Sequence, residues 1–164
     1  MENFFLEMFD YERWSNEQIL NWLLAHPYHP EMVKVFAHLI AENLPWLYLL
    51  RGQYVPDDFD PEPNWSLEEC RSRLSVVMEA LQTFVASATQ ESLSKIVRSP
   101  GRNSVVFENT AGEILAHLLN HAEHHRGQII GMIAQETGEY VPSVYMSYLR
   151  QKGAGRSTEL TAVP

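Results

Sequence analysis

Basic residues are scarce in this chain. Lys and Arg number 12 against 21 Asp and Glu, for a formal net charge of −9. Contact with the phosphates of duplex nucleic acid needs a basic surface, so this balance argues against nucleic acid as a partner. Small anionic or thiol substrates stay open. Cysteine is nearly absent: Cys70 stands alone, which excludes an internal disulfide. Its position, outside any metal-ligand spacing, predicts a small buried apolar residue. No apolar run approaches the roughly twenty residues of a membrane-spanning helix. The opening stretch MENFFLEMFDYERW has acids where a secretion signal carries positive charge, and it lacks a small-residue cleavage site. Together these absences predict a cytoplasmic protein with no membrane partner. What is present is ordinary for a soluble protein: 164 residues, 45% hydrophobic and 20% charged, enough for one domain around one core.

Apolar periodicity divides the chain. Phe5, Met8, Phe9, Ile19, Trp22 and Leu23 recur at spacings of three and four, predicting a helix over residues 4–25, with Asn3 as a candidate cap. The prolines of AHPYHP end it. A second helix starts at Pro30, with Met32, Val33, Phe36, Leu39, Ile40, Leu47 and Leu50 as its stripe. Pro45 should kink it, and Gly52 should close it. Residues 54–64, rich in proline and acid, read as a surface loop. Ser66 and Glu69 form a capping box for a third helix to about Thr89, with Leu67, Leu74, Val77, Met78, Leu81 and Phe84 inward. The runs 94–97 and 104–107 around Pro100-Gly101 suggest a small hairpin. Thr110 and Glu113 form another capping box, and the helix they start runs to Gly138. Ser143 is expected to cap a last short helix to about Arg150. Four long amphipathic helices imply an all-α four-helix bundle over residues 1–150, followed by a mobile tail at 151–164.

Four of the seven histidines, His117, His121, His124 and His125, fall within nine residues of the last long helix. On a wheel of about 100° per residue with Ile114 at zero, the apolar residues occupy roughly 0° to 140°. His125 and His121 fall at about 20° and −20°, at the edge of that arc, while His117 and His124 fall at about −60° and −80°, nearer solvent. Residues four apart lie one above the other, so His121 and His125 can share one metal ion. Two inward histidines satisfied by carboxylates or carbonyls would show the same spacing. A third ligand must come from elsewhere, and His26, His29 and His38 are the candidates. The first two sit in a Pro-rich loop and read as exposed residues. His38 lies at the margin of its helix's apolar stripe, where spacing fits a structural histidine as well as a ligand. Arg126 should point away from His125 and pair with a carboxylate or the backbone. Gln128 returns near His121 as a candidate donor behind the ligands. The cap accounts for Glu113.

HLLNHAEHHRGQIIGMIAQ resembles the signature helix of the DinB-like family, whose pattern is an apolar run followed by N-H-x-x-H-H-R-G-Q-I. Here it is carried by Asn120, His121, His124, His125, Arg126, Gly127, Gln128 and Ile129. Tyr11, Trp14, Asn16 and Leu20 resemble the family's first helix, HLIAENLPWLYLLRG its second, and PSVYMSYLR its last. The resemblance covers about residues 9–150. It implies a DinB-like bundle with three metal ligands, His38, His121 and His125, one divalent ion (zinc, nickel or iron), and a homodimer. Many relatives carry an aspartate in a P-x-x-D arrangement before the last helix; this chain has Pro142, Ser143, Val144 and Tyr145 instead. Relatives also imply a metal-dependent transferase acting on a low-molecular-weight thiol cosubstrate and an electrophile. Hydrolysis by metal-bound water and a non-enzymatic, stress-related metal-binding bundle are the alternatives. No residue identifies the substrates or a catalytic base.

Overall fold

The computed structural model describes residues 2–26, 29–101, 103 and 105–153. Its elements are α1 (Glu2–Ala25), α2 (Pro30–Ala41), α3 (Asn43–Leu50), α4 (Leu67–Ala86), α5 (Gln90–Leu93), β1 (Ile96–Pro100), β2 (Val106–Thr110), α6 (Ala111–Thr137) and α7 (Tyr145–Gln151). The long helices α1, α2, α4 and α6 form the expected bundle. α1 packs on α4 and α6, and α2 packs on the same two, so α1 and α2 face each other across a diagonal. Two seams flank α6: α2 against α6, and α1 against α6. No helix among the described residues is long and apolar enough to cross a membrane.

The predicted apolar stripes fill the core. Phe9, Ile19, Phe36, Leu39, Ile40, Met78, Leu81, Leu115, Ile129 and Ile133 are almost fully buried, and so is Cys70. Both predicted capping boxes form. The Ser66 side chain accepts the Glu69 N–H and Thr110 accepts that of Glu113, with each glutamate returning the bond to its cap's backbone. Gly52 and Gly138 close their helices at φ 69° and 73°, a backbone that residues with a Cβ rarely adopt.

Several boundaries differ from the sequence expectation. The second helix does not merely kink at Pro45; it breaks at Glu42 into α2 and α3. Proline lacks the N–H that the Ala41 carbonyl would take in a continuous helix, and its ring crowds that carbonyl. Pro45 therefore sits in the first turn of a new helix, where no donor is missed. Asn43 steadies the break, its side-chain amide donating to the Leu39 carbonyl at 2.9 Å. The third helix stops at Ala86, and Thr89 caps the one-turn α5 through a box with Ser92. The hairpin pairs Ile96 with Thr110 and Pro100 with Val106, a few residues beyond the expected strands, and Ser104 lies outside the described residues. Ser143 does not cap the last helix. Val144 holds the N-cap position without a side-chain bond, while Ser143 is buried with its carbonyl turned to α1. α1 is helical from Glu2, so Asn3 lies inside it rather than ahead of it. Pro27 and Tyr28 of the predicted breaker, and residues 154–164 of the predicted tail, lie outside the described residues.

Candidate metal centre

α6 carries His121 and His125 on successive turns, both half-buried, with His117 and His124 exposed beside them. The wheel assignment is thus reproduced. Buried Ala122, Ile129 and Ile133 dock this helix on the bundle, and Met32, Phe36, Leu39 and Ile40 do the same for α2. Docking brings His38, on the half-buried margin of α2, across the α2–α6 seam. The ligand nitrogens available on His38, His121 and His125 lie within 4.8 Å of one another. His38 is the residue that spacing alone left open; the packing of α2 on α6 brings it to the other two.

The ring nitrogens are sorted by their partners. His38 Nδ1 lies 2.7 Å from the Pro61 carbonyl, which can only accept, so that nitrogen carries the proton and Nε2 keeps a lone pair. His125 Nδ1 lies 2.7 Å from Gln128 Oε1, which sets the same tautomer. Gln128 in turn donates its amide to His124 Nε2 at 3.2 Å. The expected donor behind the ligands is therefore Gln128, acting as an acceptor and serving His125 rather than His121. A second partner at a ligand histidine's other nitrogen orients the ring and raises its basicity toward a metal. The Nε2 atoms of His121 and His125 stand 3.1 Å apart. Two nitrogens on one tetrahedral zinc stand about 3.3 Å apart, so the pair already has nearly the separation that a shared ion demands.

The electrostatics fit the same group. Burial, and then the neighbouring His125 and His38, push the His121 pKa down to about 4. Burial also lowers that of His125, against the Gln128 bond, which raises it. Metal ligation requires neutral imidazole, and the lowered pKa values of His121 and His125 favour that form at neutral pH. The chemistry of the donor set suits a divalent ion such as zinc, nickel or iron.

The other histidines do other things. His26 pairs with Glu139 at 3.2 Å and stacks on Trp22, tying the end of α1 to the chain after α6, and His29, the N-cap of α2, meets Glu136 at 2.8 Å near the end of α6. They are not ligands of this group. Arg126 points to the opposite seam. Its side chain is 2% exposed and is paired with Glu12, which is equally buried, and with Glu123 at 2.6 Å. Burial opposes its charge, but the two carboxylates outweigh burial and raise its pKa. Asn16 joins by accepting from Arg126 at 3.2 Å and donating to Glu12 at 2.9 Å. The Tyr11 hydroxyl stands 3.0 Å from both Glu123 and the Ser143 carbonyl, and burial leads its pKa up to about 12. In the sequence Tyr11 and Asn16 stand out only by resemblance. In the fold they lock α1, α6 and the chain before α7 around Arg126. Glu12 gives no such signal, because an acid on a helix reads as surface. The Pro61 carbonyl gives none either, because a backbone acceptor in a loop has no residue-type signature.

The family described as the DinB superfamily matches residues 20–129. "Protein DinB" of Bacillus subtilis (strain 168) is 26% identical over 164 aligned residues, covering 91% of this chain and 95% of that protein. No solved structure matches the chain.

Proposed function

The chain belongs to the DinB superfamily, and we propose that it holds one divalent metal ion through His38, His121 and His125 and uses it to transfer a low-molecular-weight thiol to a small electrophile. The observation that carries this reading is the convergence of one ring nitrogen from each of three histidines within 4.8 Å, with the outer nitrogens of His38 and His125 already engaged. Structural zinc sites are normally closed by four protein ligands, whereas three leave a position for a reactant. A divalent ion bound there would supply Lewis acidity, favouring the thiolate of a thiol at neutral pH.

The remaining work belongs to the chain. The Pro61 carbonyl and Gln128 hold two rings in the tautomer that offers Nε2. The burial of His121 keeps its imidazole unprotonated, so binding an ion displaces no proton there at pH 7. The bundle anchors the ligands on two long helices rather than on mobile loops, which limits their spread.

Metal analysis of the purified protein tests the site. About one ion per chain is expected, with loss in both His38→Ala and His121→Ala. Retention in the His38 variant would remove it as the third ligand. A panel of small thiols against a generic electrophile such as monochlorobimane tests the chemistry, and turnover should vanish in the same variants. Bound metal without turnover would sink the transferase reading and leave an ion that joins α2 to α6.

A further inference from the structure

Glu113, His117, His121 and His125 recur every fourth position of α6, so they form one stripe with about 6 Å of helix per step. The two later members belong to the metal centre. The two earlier ones line a cavity of about 220 Å³ together with Trp46, Asn109 and Ile114. His117 joins the two regions. Its ring centre is 5.8 Å from that of His121 and 5.5 Å from that of Trp46. The cavity therefore adjoins the metal centre along one helix face, beside Trp46 of α3.

Its chemistry is one-sided. Glu113 is the only Asp, Glu, Lys or Arg among the lining residues. Glu113 Oε2 accepts the Thr110 N–H at 2.8 Å, with the Asn109 amide at 3.5 Å, and these bonds hold the carboxyl below the usual range. Oε1 has no partner among the described residues. Trp46 supplies an indole wall of the same cavity, against His117. A carboxylate beside an aromatic ring attracts an ammonium group by ion pairing and by the ring quadrupole, and it disfavours a second carboxylate.

We propose that this cavity is the subsite for a cationic amino group on the thiol cosubstrate, with its Glu113 carboxylate two steps of the stripe from His121. The inference rests on the thiol reading above and adds which thiols are accepted.

Cobalt-loaded protein separates the two claims, because a thiolate bound to cobalt(II) gives a charge-transfer absorption band. The probes are 8-aminooctane-1-thiol, 8-mercaptooctan-1-ol and 8-mercaptooctanoate, equal in chain length and, when extended, long enough to span about 12 Å, the two helical steps from His121 to Glu113. The aminothiol should bind about fivefold or more tightly than the alcohol, and the acid should bind weakest. Glu113→Gln keeps the capping box, which glutamine also serves, and removes the charge. It should reduce the amine–alcohol difference to about twofold or less. Trp46→Leu should weaken the amine more than the alcohol, with unchanged helical circular dichroism. Equal affinities in the unaltered protein, or an amine preference that survives Glu113→Gln, would overturn the subsite while the thiol reading stands. No band with any of the three would overturn the thiol reading and the subsite with it.

Discussion

Arg126 neighbours His125 in sequence yet faces the opposite seam, where it meets Glu12 in full burial. Removing one member of a buried ion pair leaves the other charged and without a partner, which costs about 3–5 kcal/mol. Arg126→Met should therefore lower the unfolding free energy by about that amount in urea titrations, and adding Glu12→Gln should recover part of it. Equal stability of the single variant and the original would show that the pair is dispensable. At this scale the sequence is informative about type and poor about partner. The wheel separates His121 and His125 from His117 and His124 because helical geometry is local. It cannot pair Arg126 with Glu12, which lies 114 positions away, or distinguish His38 as a ligand from His38 as a satisfied core histidine.

The elements follow local chemistry where a motif completes itself within one turn. Both predicted capping boxes and both glycine stops stand where residue type required them. Thr110→Ala should cost about 1 kcal/mol, the usual loss of an N-cap, read as a shift in the urea midpoint. Metal content should survive, because His121 lies about three turns further on; loss of metal would show that the start of α6 orients the centre. The misplacements arise where a local signal has a rival. Pro45 is compatible with a kink or a break, and the rescue of the break by Asn43 at the Leu39 carbonyl decides for a break. Ser143 has the residue type of a cap, but Tyr11 and Ser15 bind its carbonyl from α1, and a contact across the bundle outweighs a cap.

For the molecule as a whole, the three-histidine group couples stability to pH. The folded pKa of His121 is about 4, below its ordinary 6.5. Between these values the unfolded chain binds more protons than the folded one, so stability rises with pH. The metal-free protein should thus have the full contribution of this group above about pH 6.5 and lose it as pH falls toward 4, with His125 acting in the same direction. Thermal melts from pH 7.5 to 4.5 test this, and His121→Ala should flatten the slope. Zinc at a hundredfold excess over its dissociation constant should add about 2.7 kcal/mol at neutral pH, raising the midpoint by about 5–10 °C. The same addition should leave His38→Ala unchanged.

Sequence alone determined the helical class, the core stripes, the caps and the pair His121 and His125. Each of these rests on interactions within a turn or two of helix, which residue spacing encodes directly. Tertiary structure decided the contacts between elements; for His38 the family resemblance points the same way. Packing brought His38 to the pair, made the Pro61 carbonyl that ring's partner, set Arg126 against Glu12, and placed Trp46 beside His117. These contacts cross from one element to another, and their geometry depends on how buried faces pack together, a property that no single segment contains.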